Sequence, residues 1–200
     1  MPAMYRSLAL SFVMAAATPV AAYAQDAASP VQILDDGLIA IMKGGNTLGF
    51  AGRAARIGPV VDRVFDLPLM TRLAVGPAWT GMTAGDKSAL VAAFRRLTIS
   101  QYAGNFDGWS GETFSIDAKV EARGDDRLVR TILKSPKGSP TQLAYRLRQG
   151  TGGWRVIDVF YQNSISQLAT RRSDFGRSVA TGGAKGLIAH LDQLSEKAAR

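Results

Sequence analysis

The stretch from Leu143 to Phe175 constrains the fold more than any other. Leu143, Tyr145 and Leu147 alternate with Ala144, Arg146 and Arg148, a glycine-bearing turn follows at Gly150 to Gly153, and Trp154 to Tyr161 is β-branched and aromatic. Period-two alternation, turn chemistry and a second β-rich run predict a β-hairpin. Directly after it Ile165, Leu168, Arg172, Phe175 and Val179 recur at helical spacing, with Asn163 or Ser164 available as a cap. An amphipathic helix leaving a hairpin this way can fold back over the sheet and enclose apolar volume.

The rest of the chain reads as partners for that unit. Ser29 and Pro30 suit a helix start, Val31, Leu34, Leu38 and Ile41 share one face, and Gly44-Gly45 suits its end. The apolar segment Phe50 to Phe65 carries Gly58-Pro59, which predicts two short helices or one kinked helix. Asp66 can cap a short helix from Leu67 to Val75, ending at Gly76-Pro77. Thr83-Ala84-Gly85-Asp86 resembles a capping box and opens a long helix with Leu90, Ala93, Phe94, Leu97, Gln101 and Tyr102 on its apolar face, ending near Phe106.

Beyond Gly108 the period changes to two. Phe114, Ile116, Ala118 and Val120 form one strand and Arg127 to Lys134 a second. With the hairpin they predict a four-stranded antiparallel meander. A last apolar stripe, Leu187, Ile188, Leu191 and Leu194, runs within Ala184 to Lys197. The expected fold class is α+β: N-terminal helices, a curved four-stranded antiparallel sheet, and C-terminal helices covering one sheet face around an apolar cavity.

Residues 1–24 read as a secretory signal peptide. Arg6 supplies the basic start, Leu8 to Ala17 an apolar run too short to span a bilayer, and Ala22-Tyr23-Ala24 a cleavage site. Residues 25–200 then form a single domain outside the cytoplasm, for which 46% hydrophobic residues supply an ample core. The absence of cysteine excludes disulfides, thiolate metal sites and lipoprotein-type lipidation. Losing Arg6 lowers the formal charge from +8 to +7. A basic exported protein meets membrane headgroups, other proteins or cell-wall polyanions rather than nucleic acid. Each Lys or Arg near an anionic lipid surface adds about 1 kcal/mol, so membrane contact would be transient.

Catalytic signals are sparse. The lone histidine, His190, sits beside an apolar stripe, and no phosphate loop, HExxH or spaced ligand cluster occurs. Asp125-Asp126 and Asp35-Asp36 read as solvated pairs. Asp158 reads as sharing a strand face with Trp154, Val156 and Phe160. It is therefore an outer-face residue, one half of an ion pair with Arg146 or Arg172, or a buried general base helped by Tyr145 or Tyr161. The apolar side chains make the stronger collective pattern. Phe65, Met70, Leu73, Trp79, Phe94, Tyr102 and Phe106 from the helical half are candidates to line a cavity. Tyr145, Leu147, Val159, Tyr161, Ile165 and Leu168 are their counterparts from the sheet and the helix after it.

From about Val60 to Leu194 the chain resembles the MlaC family of periplasmic lipid carriers, also called the toluene-tolerance family, and within it the hopanoid-associated HpnM branch. The resemblance is carried by Val61-Asp62-Arg63-Val64-Phe65-Asp66-Leu67-Pro68, Ala74-Val75-Gly76-Pro77-Ala78-Trp79, Phe94 with Tyr102-Ala103, Tyr145-Arg146-Leu147, Gly153-Trp154-Arg155-Val156-Ile157-Asp158-Val159, and Ile165-Ser166-Gln167-Leu168-Ala169-Thr170-Arg171-Arg172 with Phe175. Two positions depart from the phospholipid-carrier pattern. Asn163 stands where a Gly is usual, and Arg171 where a Tyr precedes the Arg.

That resemblance implies a non-enzymatic, cofactor-free, monomeric carrier in the periplasm. Its cargo would be a phospholipid or a hopanoid-type lipid, passed between an inner-membrane ABC lipid transporter and an outer-membrane lipoprotein/porin complex that maintain outer-membrane lipid asymmetry. At ~0.8 kcal/mol per methylene, about thirty tail carbons facing water would cost on the order of 20 kcal/mol, so such a carrier must enclose its tails. Arg146, Arg171 and Arg172 are candidates to meet a phosphate at the mouth. An enzyme acting on an isoprenoid or steroid-like substrate through Asp158, and an envelope scaffold, are the alternatives.

Overall fold

In the computed structural model, residues 20–200 are described, with side chains from Ala27 onward. The expected leader, residues 1–24, lies outside the described residues apart from the backbone at its end. Among the described residues four α-helices, a 3-10 segment and six strands follow one another: α1 (Val20–Val64), α2 (Leu67–Val75), the 3-10 segment (Gly76–Gly81), α3 (Ala84–Asn105), β1 (Thr113–Ile116), β2 (Glu121–Arg123), β3 (Asp126–Lys134), β4 (Thr141–Gly150), β5 (Gly153–Tyr161), β6 (Ile165–Ser166) and α4 (Gln167–Ala198). Among the described residues no helix is long and apolar enough to cross a membrane.

Two of the helices are hairpins in themselves. α1 leaves helical geometry at Gly45 (φ 38°) and Gly49 (φ 60°), values open to glycine at little cost. The chain folds back there, so Gly37 packs against Ile57 and Val60. Arg53 closes the bend by donating from Nε to Ala103 O at 2.8 Å and from Nη1 to Gly45 O at 3.0 Å. α4 does the same at Gly183 (φ 60°), which lets His190 Nε2 reach Asp174 Oδ2 at 2.7 Å.

The expected stop near Gly44-Gly45 is present, whereas of the two expectations at Gly58-Pro59 the two separate helices are not formed and one helix runs through both residues. Pro59 sits inside the second arm of α1. Its lost hydrogen bond is offset by the packing of Ile57, Val61 and Val64, each fully buried. The first arm also starts upstream of Ser29, with Pro30 inside the helix.

The sheet has six strands in the order β1-β3-β4-β5-β6, all antiparallel, with β2 also on β3. This corrects the four-strand expectation in two places. The segment expected as one strand from Phe114 to Val120 divides at Asp117, whose Oδ1 accepts from Lys119 N at 2.9 Å and so turns the chain. β6 is a two-residue addition beyond β5, reached through Gln162 (φ 51°) and Asn163 (φ 57°). Asn tolerates that conformation better than most side chains.

Helices cover one face of this sheet. Val129, Tyr145, Leu147 and Val156 point from it into the core, meeting Leu34, Leu38, Phe65, Phe94 and Phe175 from the helices. The opposite face carries Arg130, Arg146 and Arg148, set out by the alternation of β3 and β4.

One bulge decides what β5 presents. Arg146 pairs with Asp158 but Leu147 pairs with Val156, so Ile157 is an extra residue. Arg146 and Leu147 point to opposite faces, and their partners Asp158 and Val156 do so too. Asp158 therefore does not share a face with Trp154 and Val156, as strict alternation would have it.

Candidate functional site

A cavity of about 160 Å³ lies where α2, α3 and the first turns of α4 meet β5. Phe65, Met70, Tyr102, Phe106, Val159 and Leu168 form its apolar wall. Each is placed by a local device. Asp66 N donates to Val156 O at 3.0 Å and the Asp66 carboxylate accepts from Leu69 N at 3.0 Å, which seats Phe65 against β5 and starts α2 with Met70 inward. Thr83 Oγ1 accepts from Asp86 N at 3.1 Å, starting the helix that carries Tyr102. The Tyr102 ring lies 5.8 Å from Phe65 and 6.0 Å from Phe106, so one aromatic row lines the α3 side.

The polar part of the wall comes from α3 and α4. Thr98, Gln101 and Asn105 rise along α3 at helical spacing, and Gln167 and Arg171 face them from α4. Thr98 Oγ1 is satisfied by Phe94 O at 2.9 Å.

Arg171 is not satisfied. Its Nη2 donates to Gln101 Oε1 at 2.6 Å and its guanidinium lies 4.8 Å from the Phe94 ring centre, but its Nη1 is shielded from solvent with no acceptor. Among the described residues no carboxylate lies within 4.0 Å of it. Burial pulls its pKa below the ordinary arginine value, while nearby Tyr102 and Asp158 oppose that shift. A guanidinium with a spare, desolvated donor has the chemistry to donate to an anion.

Residues 32–193 match the model of the MlaC protein family, well over half of the chain. This chain belongs to the MlaC family. Among solved structures it is similar to the phospholipid-binding protein from Ralstonia solanacearum, determined in complex with a phospholipid. The TM-score is 0.73 at 25% identity, over 88% of this chain and 99% of that one.

Within this MlaC-family chain, the candidate residues from the sequence fall into three groups. Phe65, Met70, Tyr102, Phe106, Val159, Leu168 and Arg171 come together at the cavity. Phe94, Tyr145 and Leu147 are fully buried behind the wall rather than in it. The others lie elsewhere. Trp79 is half-buried with Lys87 Nζ 5.9 Å from its ring, and Tyr161 (45% exposed) and Ile165 (52% exposed) project into solvent at the sheet edge.

Of the three arginines only Arg171 reaches the cavity. Arg146 is on the outer face, 2.5 Å from Asp126, which Arg148 also holds at 2.6 Å. Burial works against the charge on Asp126, but the two guanidinium hydrogen bonds outweigh it and hold the carboxyl below its usual range. Arg172 is exposed, near Gly76, and with Leu73, Arg146 and Arg148 borders a second recess of about 330 Å³.

Asp158 is a structural acceptor. Its Oδ2 accepts from Ser166 Oγ at 2.6 Å and its Oδ1 from Leu168 N at 3.0 Å, so both oxygens are engaged at the start of α4.

The residue that pattern reading missed is Asp35. Read as solvated, it is 1% exposed, and burial pushes its carboxyl up to about 7 despite a hydrogen bond from Thr131, with the charge of Asp36 adding to the rise. The signal was its phase, four residues after Val31 and three before Leu38, which sets it on the buried face.

Proposed function

We propose that this chain is a lipid carrier that shields the tails of a phospholipid-class lipid between its helices and sheet while Arg171 meets the phosphate. The observation that carries this reading is the spare, solvent-shielded Nη1 of Arg171 in a wall otherwise made by Phe65, Met70, Tyr102, Phe106, Val159 and Leu168. Family membership and the fold of the phospholipid-bound Ralstonia solanacearum protein support it.

At ~30 Å³ for a water-sized group, 160 Å³ holds only a few methylenes. Loading therefore parts α3 and α4 from β5, and the row Tyr102–Phe106 and Leu168 line the space that opens.

In this reading residues 1–24 are a cleaved signal peptide, and residues 25–200 act as one monomeric domain in the periplasm. The domain is the substrate-binding component of an ABC-type lipid transport system and exchanges cargo with inner-membrane and outer-membrane complexes. On the resemblance to the HpnM branch, this reading extends the cargo to hopanoid-type lipids. No catalytic step belongs to it.

A direct test incubates residues 25–200 with vesicles of phosphatidylethanolamine and phosphatidylglycerol, recovers the protein free of vesicles and extracts it. About one phospholipid per chain is expected. Protein that is folded but recovers no lipid at any loading would overturn the proposal.

A further inference from the structure

The helix-covered face of the sheet runs on past the helices. Val159 lines the cavity, and Tyr161, the next residue of β5 on that face, is exposed. Ile165 stands directly across from Tyr161 in the ladder between β5 and β6, so the two side chains share a face, and it too is exposed. Gln167 and Leu168, just beyond it, are in the cavity wall again. An apolar pair in solvent thus continues the cavity lining on both sides, through the end of β5 and through the start of α4.

The turn between the two side chains holds them in place. Gln162 and Asn163 both take left-handed backbone, which brings Ile165 back opposite Tyr161. That conformation carries a cost away from glycine, and β4 holds it: Gln162 N donates to Gln142 O at 2.8 Å and Asn163 Nδ2 to Gln142 Oε1 at 2.6 Å. Composition sets this tip apart as well. In a chain that is 20% charged, residues 159–170 contain no charged side chain, and Asp158 and Arg171 bound the gap. A surface that selects one protein partner uses complementary charge. A tip of Tyr, Ile, Asn, Ser and Gln instead suits the boundary of water and hydrocarbon, where a tyrosine ring is buried and its hydroxyl stays wet.

We propose that Tyr161 and Ile165 form a bilayer-contact edge, which enters the headgroup region of a membrane while a lipid tail passes along Val159 and Leu168 into or out of the cavity. This rests on the carrier reading and supplies its exchange step. A tail that travelled through water would expose every methylene on the way, and an apolar edge continuous with the cavity removes that exposure. The net positive charge of the chain draws it toward an anionic surface from any side. The uncharged apolar edge then sets which side docks.

The test loads residues 25–200 with a pyrene-labelled phospholipid and follows its transfer to vesicles of phosphatidylethanolamine and phosphatidylglycerol. Transfer by contact speeds up as vesicle concentration rises, whereas release through water does not. The wild-type rate is expected to rise in this way. Tyr161→Ser combined with Ile165→Ser should slow transfer about tenfold, the scale of losing the partial burial of two apolar side chains, with equilibrium loading and melting temperature unchanged. If that variant does not fold, Ile165→Ser alone decides, with transfer slowed about threefold. A rate independent of vesicle concentration, or one that the substitutions leave unchanged, overturns the assignment. A variant that loads less lipid at equilibrium overturns it too, by making the pair part of the cavity wall. A wild-type dimer that the substitutions dissociate, with transfer unaltered, gives the edge to a second copy instead. In each of these cases a wild-type chain that takes up the labelled lipid keeps the carrier reading. A wild-type chain that takes up none overturns both.

Discussion

Asp158 on β5 accepts the backbone N–H of Leu168 at 3.0 Å, tying the first turn of α4 to the sheet at the edge of the cavity. The same carboxylate takes Ser166 Oγ, and Ser166 in turn caps Ala169 N at 2.9 Å. Leu168 and Arg171, one hydrophobic and one charged wall residue, both hang from that turn.

Asp158→Ala should therefore destabilise the fold by about 1–2 kcal/mol, the usual range for a lost cap, read as a lower urea midpoint at unchanged slope. Asp158→Asn, which keeps one acceptor, should lose less. Equal midpoints for wild type and the alanine variant would show that α4 is anchored elsewhere.

Arg171 separates binding from stability. Replacing a buried, partly satisfied charge by an apolar side chain of similar size is often neutral or stabilising. Arg171→Leu should keep or raise the melting temperature and lower recovery of anionic phospholipid about tenfold, the worth of a charge-assisted hydrogen bond. A drop in melting temperature with unchanged lipid recovery would make the residue a structural one.

Asp35 sets a pH dependence whose sign follows from its environment. The folded carboxyl, raised by burial to about 7, keeps its proton where the unfolded chain, near the ordinary 3.8, has released it. The folded state binds more protons between those values, so stability falls as pH rises through that window and levels off above it. Asp35→Asn should thus raise the melting temperature at about pH 8 more than at about pH 4. An equal shift at both would place the ionised carboxylate in the folded protein.

Gly104 tests the contact between the end of α3 and the end of α4. A Cβ there would stand 2.2 Å from the carbonyl oxygen of Ala198. Gly104→Ala should cost about 1–3 kcal/mol by overpacking, despite alanine's better helix propensity, as denaturant melts would show. A neutral or stabilising result would mean that the C-terminus of α4 yields freely.

Where local chemistry decides, sequence and structure agree. The β4–β5 hairpin, the Asp66 and Thr83 caps, the bend at Gly45 and the row Phe65, Tyr102 and Phe106 all follow from residue type and spacing. Where packing decides, they part. Pro59 stays in a helix because its neighbours are buried, and the Ile157 bulge reverses the parity of β5, so Asp158 turns from the Val156 face; Tyr161 shares the face of Val159 but is exposed where β5 ends. A bulge is one added residue with no composition of its own. Of three adjacent-looking arginines, strand alternation sends Arg146 outward, and helix phase separates Arg171 from Arg172 by the ~100° between consecutive helical residues.

The most direct measurement is native mass spectrometry of residues 25–200, purified from a secreting host without detergent, with extraction and identification of whatever is bound. A carrier should arrive with about one lipid per chain, bearing a phosphate or another anionic group for Arg171. A well-folded chain whose mass is that of the polypeptide alone, and which stays so after incubation with envelope lipids, would contradict it.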